Sequence, residues 1–321
     1  MKIGLYSITY LGIWYRGRAL TMPEVVDRAA TFGFDGIEID GKRPHGNPMD
    51  WDDRARQELR DLCDSRGIEI VGVASNNDFS SPIPEHRECQ LLMVREQIRL
   101  CRDLRGRVVR LFFAWPGVTL DAEGRAAYEY ARTMWTENSR YSTHCDRWTA
   151  VRSCLREAAR MAEDAGVTLA LQNHQPVLCG YRDMLDMIDE VDSPALQACL
   201  DVPLLERQDD EYVWQATQDT GHLQALSHYS GEFERAPDGS LYERPHDGRQ
   251  AVNYPTFIRA LKADGYDGYP CYEFCHPALN RRHDLEDLAY IDEQTRRAFE
   301  YLRNLMVAEG VYTGRAAPVA P

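Results

Sequence analysis

Apolar and polar positions along the chain alternate between two kinds of run. Short, nearly unbroken apolar stretches closing on polar residues lie at 2–9, 36–40, 68–75, 108–114, 168–174, 196–202, 223–229 and 268–274. That is the pattern of parallel strands buried on both faces. Between them, apolar residues recur at helical spacing. The first such run has Pro23 near its start, Val25, Val26, Ala29 and Ala30 on one side, and Gly33 as its stop. The same pattern predicts helices over 51–66, 85–104, 147–165, 181–190, 211–221, 254–264 and 285–305, with Gly67 and Gly166 closing two of them.

Eight strands alternating with eight helices predict a single (β/α)8 TIM barrel, for which 321 residues is ample length. The competing architecture, a doubly wound open sheet, would place a glycine-rich phosphate loop after the first strand. The segment Ser7-Ile8-Thr9-Tyr10-Leu11-Gly12-Ile13-Trp14 contains no G-x-G-x-x-G, which favours the barrel. The barrel is expected over 1–309, followed by a flexible tail over 310–321. Two connections are long, 115–146 and 230–253. Both follow strands, so both belong on the C-terminal face, where barrel enzymes keep their chemistry. The second contains Pro237-Asp238-Gly239-Ser240 between Phe233 and Leu241-Tyr242, a hairpin signature.

Charge narrows the partners. Lys plus Arg total 37 and Asp plus Glu total 51, a net charge of −14, which disfavours nucleic acid. No apolar run approaches the roughly 20 residues of a membrane span, and the N-terminus reads as a strand rather than a secretion signal. The nine cysteines are odd in number and scattered. They are expected as thiols in a reducing cytoplasm. Cys271 and Cys275 flank a strand, a poor geometry for a closed zinc site.

Candidate chemistry sits at the strand ends. The fifth strand closes on Leu171-Gln172-Asn173-His174, the sixth on Leu200-Asp201, the seventh on Ser227-His228 and the eighth on Tyr272-Glu273. Four consecutive strands thus deliver Gln172, Asp201, His228 and Glu273 to one pocket. Two carboxylates, an imidazole and an amide oxygen suit one divalent ion, Mn2+, Mg2+ or a related ion such as Co2+ or Zn2+. His144 in the long loop after strand four is a candidate catalytic base, since imidazole exchanges protons near neutral pH. His45, His174 and His276 are further candidates near the substrate. Trp14, Tyr15 and Trp115, with Tyr6 and Phe113, lie at or after strand ends and offer an apolar wall. Arg110, inside strand four, points either into the barrel or toward a helix.

The stretches Gly33-Phe34-Asp35-Gly36-Ile37-Glu38, Leu171-Gln172-Asn173-His174, Leu200-Asp201, Ser227-His228 and Gly265-Tyr266-Asp267-Gly268-Tyr269-Pro270-Cys271-Tyr272-Glu273 resemble the xylose isomerase-like barrels. Members of that superfamily include sugar isomerases, ketose 3-epimerases and dehydratases. The resemblance implies a divalent ion held by Glu, Asp, His and Glu, positions that fall on Gln172, Asp201, His228 and Glu273. In the epimerases the two Glu residues also form the acid/base pair. An amide accepts no proton at neutral pH, so Gln172 can ligate but cannot be the second base. Two-base epimerisation is therefore disfavoured. One base, Glu273 or His144, with a Lewis acid fits proton abstraction beside a carbonyl followed by elimination.

Within the superfamily, Ile3 to Tyr10, the Trp14-Tyr15 loop and Glu38 to Pro48 resemble the catalytic subunit of bacterial C-glycoside deglycosidases. That resemblance implies Mn2+-assisted cleavage of the bond between a 3-oxo-glucosyl ring and an aromatic aglycone. It also implies a smaller β-rich partner subunit and oligomeric assembly. The alternatives are an isomerase, epimerase or dehydratase of a free keto sugar or inosose, and a barrel that has lost catalysis and only binds sugar or assembles. A DNA-cleaving member of the superfamily would need a basic face and a richer His/Glu set.

Overall fold

The computed structural model describes residues 1–245 and 250–315. Eight parallel strands close into a barrel: β1 (Gly4–Tyr6), β2 (Gly36–Asp40), β3 (Glu69–Ala74), β4 (Val108–Leu111), β7 (Thr168–Gln172), β8 (Leu196–Asp201), β9 (Gln224–Ser230) and β12 (Pro270–Glu273). Each pairs with its sequence neighbour in the barrel, and β1 meets β12 to close the ring. This is the (β/α)8 barrel anticipated from the apolar runs. Around it lie α1 (Met22–Phe32), α2 (Asp53–Arg66), α3 (Pro84–Asp103), α5 (His144–Ala165), α6 (Tyr181–Val191), α7 (Asp210–Thr220), α8 (Tyr254–Ala263) and α9 (Leu288–Ala308).

Local chemistry sets the helix ends. Thr21 and Glu24 form a reciprocal capping box on α1, and Gly33 ends it in the left-handed region at φ 99°. A second box, Thr143 with Asp146, starts α5 at His144, earlier than the expected 147. Seven of the eight strands place a polar side chain inward near the C-terminal end, Tyr6, Glu38, Arg110, Gln172, Asp201, His228 and Glu273, while β3 places Ala74 there. The apolar strand residues pack in a continuous layer against the helices.

Both long connections have structure. The first forms a short hairpin, β5 (Thr119–Leu120) with β6 (Ala126–Ala127), and a helix, α4 (Glu129–Asn138). It is fastened across the barrel mouth. The Tyr128 hydroxyl donates to the Cys275 carbonyl at 2.7 Å, beyond β12, and Ala126 N donates to the Ile13 carbonyl. The second forms the expected hairpin, β10 (Glu232–Arg235) with β11 (Leu241–Arg244). No helix among the described residues is long and apolar enough to cross a membrane, and no disulfide joins any of the nine cysteines.

The tail expected to be free from 310 is instead tied down as far as Arg315; 316–321 lie outside the described residues. The buried Asp35 carboxylate accepts from Ile3 N at 2.8 Å, Arg315 N at 2.6 Å and the Tyr312 hydroxyl at 3.3 Å. It joins the first strand to the end of the chain. Asp35→Ala strands the buried Ile3 N–H and removes the acceptor of the partly buried Arg315 N–H and Tyr312 hydroxyl. From the cost of losing charged hydrogen bonds, the expected loss of stability is about 3 kcal/mol, read as a lower denaturant midpoint. An unchanged midpoint would show that the tail contributes nothing.

Candidate metal centre

Strand register brings three carboxylate or imidazole groups together. Asp201 closes β8, His228 sits near the end of β9, and Glu273 closes β12, with Asp201 beside His228 in the ladder. One ligand atom from each lies within 4.8 Å of the others. An ion about 2.2 Å from each ligand separates them by roughly 3 to 4.4 Å, so small rotations suffice. Gln172, from β7, completes the ring. Its Nε2 donates to Asp201 Oδ2 at 2.7 Å and lies 3.2 Å from His228 Nδ1. His228 Nδ1 lies 3.8 Å from Glu273 Oε2. All four sequence-predicted ligands therefore meet.

The electrostatics fit a cation. Burial, then the nearby Glu273 charge, pushes the Asp201 carboxyl up to about 7. Burial alone would lower His228, but the Glu38 and Glu273 charges around it carry it up to about 9. These are anions crowded in a dry place. Gln172 Oε1 and Asp201 Oδ1 are buried with no hydrogen-bond partner, and a buried oxygen without a partner is costly. A divalent ion held by Asp201, His228, Glu273 and the Gln172 oxygen would satisfy both atoms and offset the carboxylate charge.

The opposite side of the mouth is a second polar network. Arg110 points inward and is fully buried. Its Nη2 donates to the Tyr6 hydroxyl at 2.8 Å, its Nη1 donates to the Ser75 carbonyl, and its guanidinium lies 4.0 Å over the Phe112 ring. The Tyr6 ring stacks on His228 at 5.4 Å. Asp40 accepts from Asn76 at 2.7 Å and pairs with Lys42 at 3.2 Å. Above the network is an aromatic wall. Phe112 stacks on Trp115, His174 meets both edge-on at 4.9 and 5.3 Å, and Tyr128 meets Trp115 edge-on.

The other sequence candidates divide. Trp115 and His174 are in the wall; burial lowers the His174 pKa, and its Nδ1 contacts the Gln175 carbonyl. Trp14 is buried behind the wall, stacked on Tyr128 with its indole N–H bonded to Ile8 O. Tyr15 is a correction. It is buried in its own loop, donating to the Arg18 carbonyl at 2.9 Å, with no contact to the wall. His144 is also a correction. It opens α5, its Nε2 lies 3.1 Å from the Val177 carbonyl, and its ring stacks on Trp148. The capping box draws it into the helix, where it faces Val177 and Trp148 rather than the mouth. His45 is buried behind the Asp40–Lys42 pair with Nε2 against the Leu20 carbonyl, and burial lowers its pKa. His276 reaches Glu232 at 3.2 Å and stacks on Phe274.

Four residues escaped the sequence reading of the site: Glu38, Asp40, Phe112 and Tyr128. For the first two there was a signal. In Gly36-Ile37-Glu38-Ile39-Asp40 the acids alternate with isoleucine, so both face the barrel interior.

No curated protein sequence matches the chain. Among solved structures, a D-psicose 3-epimerase from Clostridium cellulolyticum H10 with D-tagatose superposes with a TM-score of 0.69 at 17% identity, covering 95% of this chain and 99% of the other. An L-ribulose 3-epimerase gives 0.64 at 20% identity, covering 99% of each chain. A 3-keto-D-glucoside 4-epimerase from E. coli gives 0.65 at 19% identity, covering 95% and 99%. At these identities the likeness is one of fold. Residues 26–305 match the family model described as the xylose isomerase-like TIM barrel, and the chain belongs to that family.

Proposed function

We propose that this protein is a divalent-metal-dependent lyase that cleaves the glycosidic bond of a 3-oxo-glycoside, a C-glycoside first. The observation that carries the reading is Gln172. It stands among the ligands as an amide 2.7 Å from Asp201, where a second proton-transferring carboxylate would have to be. Glu273 is left as the carboxylate base of the cluster, with its side chain 13% exposed where Asp201 and His228 are sealed.

A bound Mn2+ or similar ion would supply Lewis-acid stabilisation of negative charge on the keto oxygen. The residues do the rest. Glu273 takes the proton from C2, acidified by the neighbouring 3-keto group. The C2–H electron pair forms C1=C2, and the bond from C1 to the aglycone breaks with its electrons leaving on the aglycone. The Glu273 carboxylic acid returns the proton to the departing atom, so one residue serves both transfers. The wall of Phe112, Trp115, His174 and Tyr128 presents ring faces and edges to an aromatic aglycone and keeps water from the reacting carbons.

A second reading, isomerase or epimerase of a keto sugar, is supported by the 3-keto-D-glucoside 4-epimerase among the structural relatives. A smaller β-rich partner subunit and oligomeric assembly belong to the first reading. One experiment separates them. The protein is incubated with Mn2+ and a panel of 3-oxo C- and O-glucosides beside free ketoses, with and without the products of neighbouring genes. Released aglycone is the expected result. Epimer formation with no aglycone release would overturn the lyase reading.

A further inference from the structure

Glu38 is a fully buried acid of the barrel interior that the proposed reaction leaves unused. It comes from β2, three strands round the barrel from β9, and is 190 residues from its partner. Its Oε2 lies 2.8 Å from His228 Nε2, and both side chains are 0% exposed. Its other oxygen, Oε1, is buried with no hydrogen-bond partner among the described residues. Burying a carboxylate is expensive even with the Cys271 thiol also beside it, and a surface ion pair would have cost far less. Arg110, buried nearby, supplies a fixed positive charge felt by Glu38.

We propose that Glu38 is the positioning residue that sets the tautomer and orientation of His228 for a divalent ion. A neutral imidazole carries one N–H and one lone pair, and only the lone pair can ligate. Glu38 is an acceptor when ionised, so the ring nitrogen facing it carries the hydrogen. That is Nε2. The lone pair is then on Nδ1, the nitrogen that faces Gln172 at 3.2 Å and Glu273 at 3.8 Å. Tyr6 fixes the remaining freedom. Its ring is stacked on the imidazole with 16° between the planes, and its hydroxyl is held by Arg110. Glu38 thus sets which nitrogen is free, and Tyr6 sets the plane in which it points. The carboxylate also raises the basicity of the ligating nitrogen.

The inference rests on the metal reading above, and the test keeps the two apart. Mn2+ affinity of the full chain is measured by the electron paramagnetic resonance signal of free Mn2+, with circular dichroism reporting the fold. Glu38→Gln keeps the volume but loses the charge and the obligatory acceptor. The expected result is 10- to 100-fold weaker Mn2+ binding, with Glu38→Asp falling between the variant and the parent. Unchanged affinity in Glu38→Gln overturns the positioning role and leaves the metal site standing. A parent chain that binds no divalent ion overturns both. Should the variant fail to fold, the Co2+-loaded parent decides. A hyperfine-shifted imidazole N–H resonance that disappears in D2O is expected from Nε2–H, and its absence overturns the proposal.

Discussion

Glu273→Gln is expected to lower turnover of a 3-oxo-glycoside by roughly 10³-fold while Mn2+ still binds. The amide has the same shape and can ligate through its oxygen, as Gln172 would once its amide turns, but it accepts no proton at neutral pH. General-base contributions of a positioned side chain run to about 10²–10⁴. Ligation and base chemistry are therefore separable at one position. Steady-state turnover and Mn2+ affinity are measured on the same preparation. A fall in affinity that accounts for the whole loss of rate would assign Glu273 to the ion alone and leave the base unidentified. His144→Ala serves as the control. It is expected to keep near-parental turnover, because His144 sits on α5 against Val177 and Trp148.

The second large effect is expected from Gln172→Glu. Its amide nitrogen is 2.7 Å from Asp201, whose carboxyl is already pushed up to about 7 by burial and by Glu273. A carboxylate in that place sets like charges at hydrogen-bond distance in a dry pocket. From the cost of an uncompensated buried charge, the ion-free variant should lose about 3–5 kcal/mol. Saturating Mn2+ should return most of it, since a ligand that binds only the folded state stabilises it. The rise in thermal midpoint on adding Mn2+ should then be larger for the variant than for the parent. Equal rises would place position 172 outside the ion's surroundings. A strong gain of ketose epimerisation with native activity intact would count against the lyase reading, because the amide would then not be what suppresses two-base chemistry.

Much of this was legible in the chain. Buried parallel strands leave apolar runs of a recognisable length, so all eight were visible, and a polar residue at or near the end of each of the last four lines the candidate metal centre. What was missed has physical causes. The segment 115–146 is polar and amphipathic, so α4 and the two-residue strands β5 and β6 left no apolar run to read. The start of α5 was readable but overlooked: Thr143-His144-Cys145-Asp146 carries the capping-box spacing, and that box removes His144 from the loop. The Glu38–His228 contact was not readable at all. It joins positions 190 residues apart, and only closure of the barrel brings them within 2.8 Å. Tyr15 illustrates the opposite error. An aromatic after a strand looks like a wall, but its hydroxyl is used by its own loop.

The segment roofing the mouth also bears on how this scaffold changes over time. It leaves the barrel after β4, crosses to Cys275 beyond β12 and returns to α5, and none of its residues takes part in the barrel's strand ladder. Lengthening such a connection adds little closure entropy. Its residues can therefore be exchanged wholesale while Asp201, His228 and Glu273 stay on rigid strand ends. On the proposed reading, the part of the aromatic wall carried by Trp115 and Tyr128 and the groups that would hold the ion lie in separate stretches of chain, so selection can act on one without spending the stability of the other.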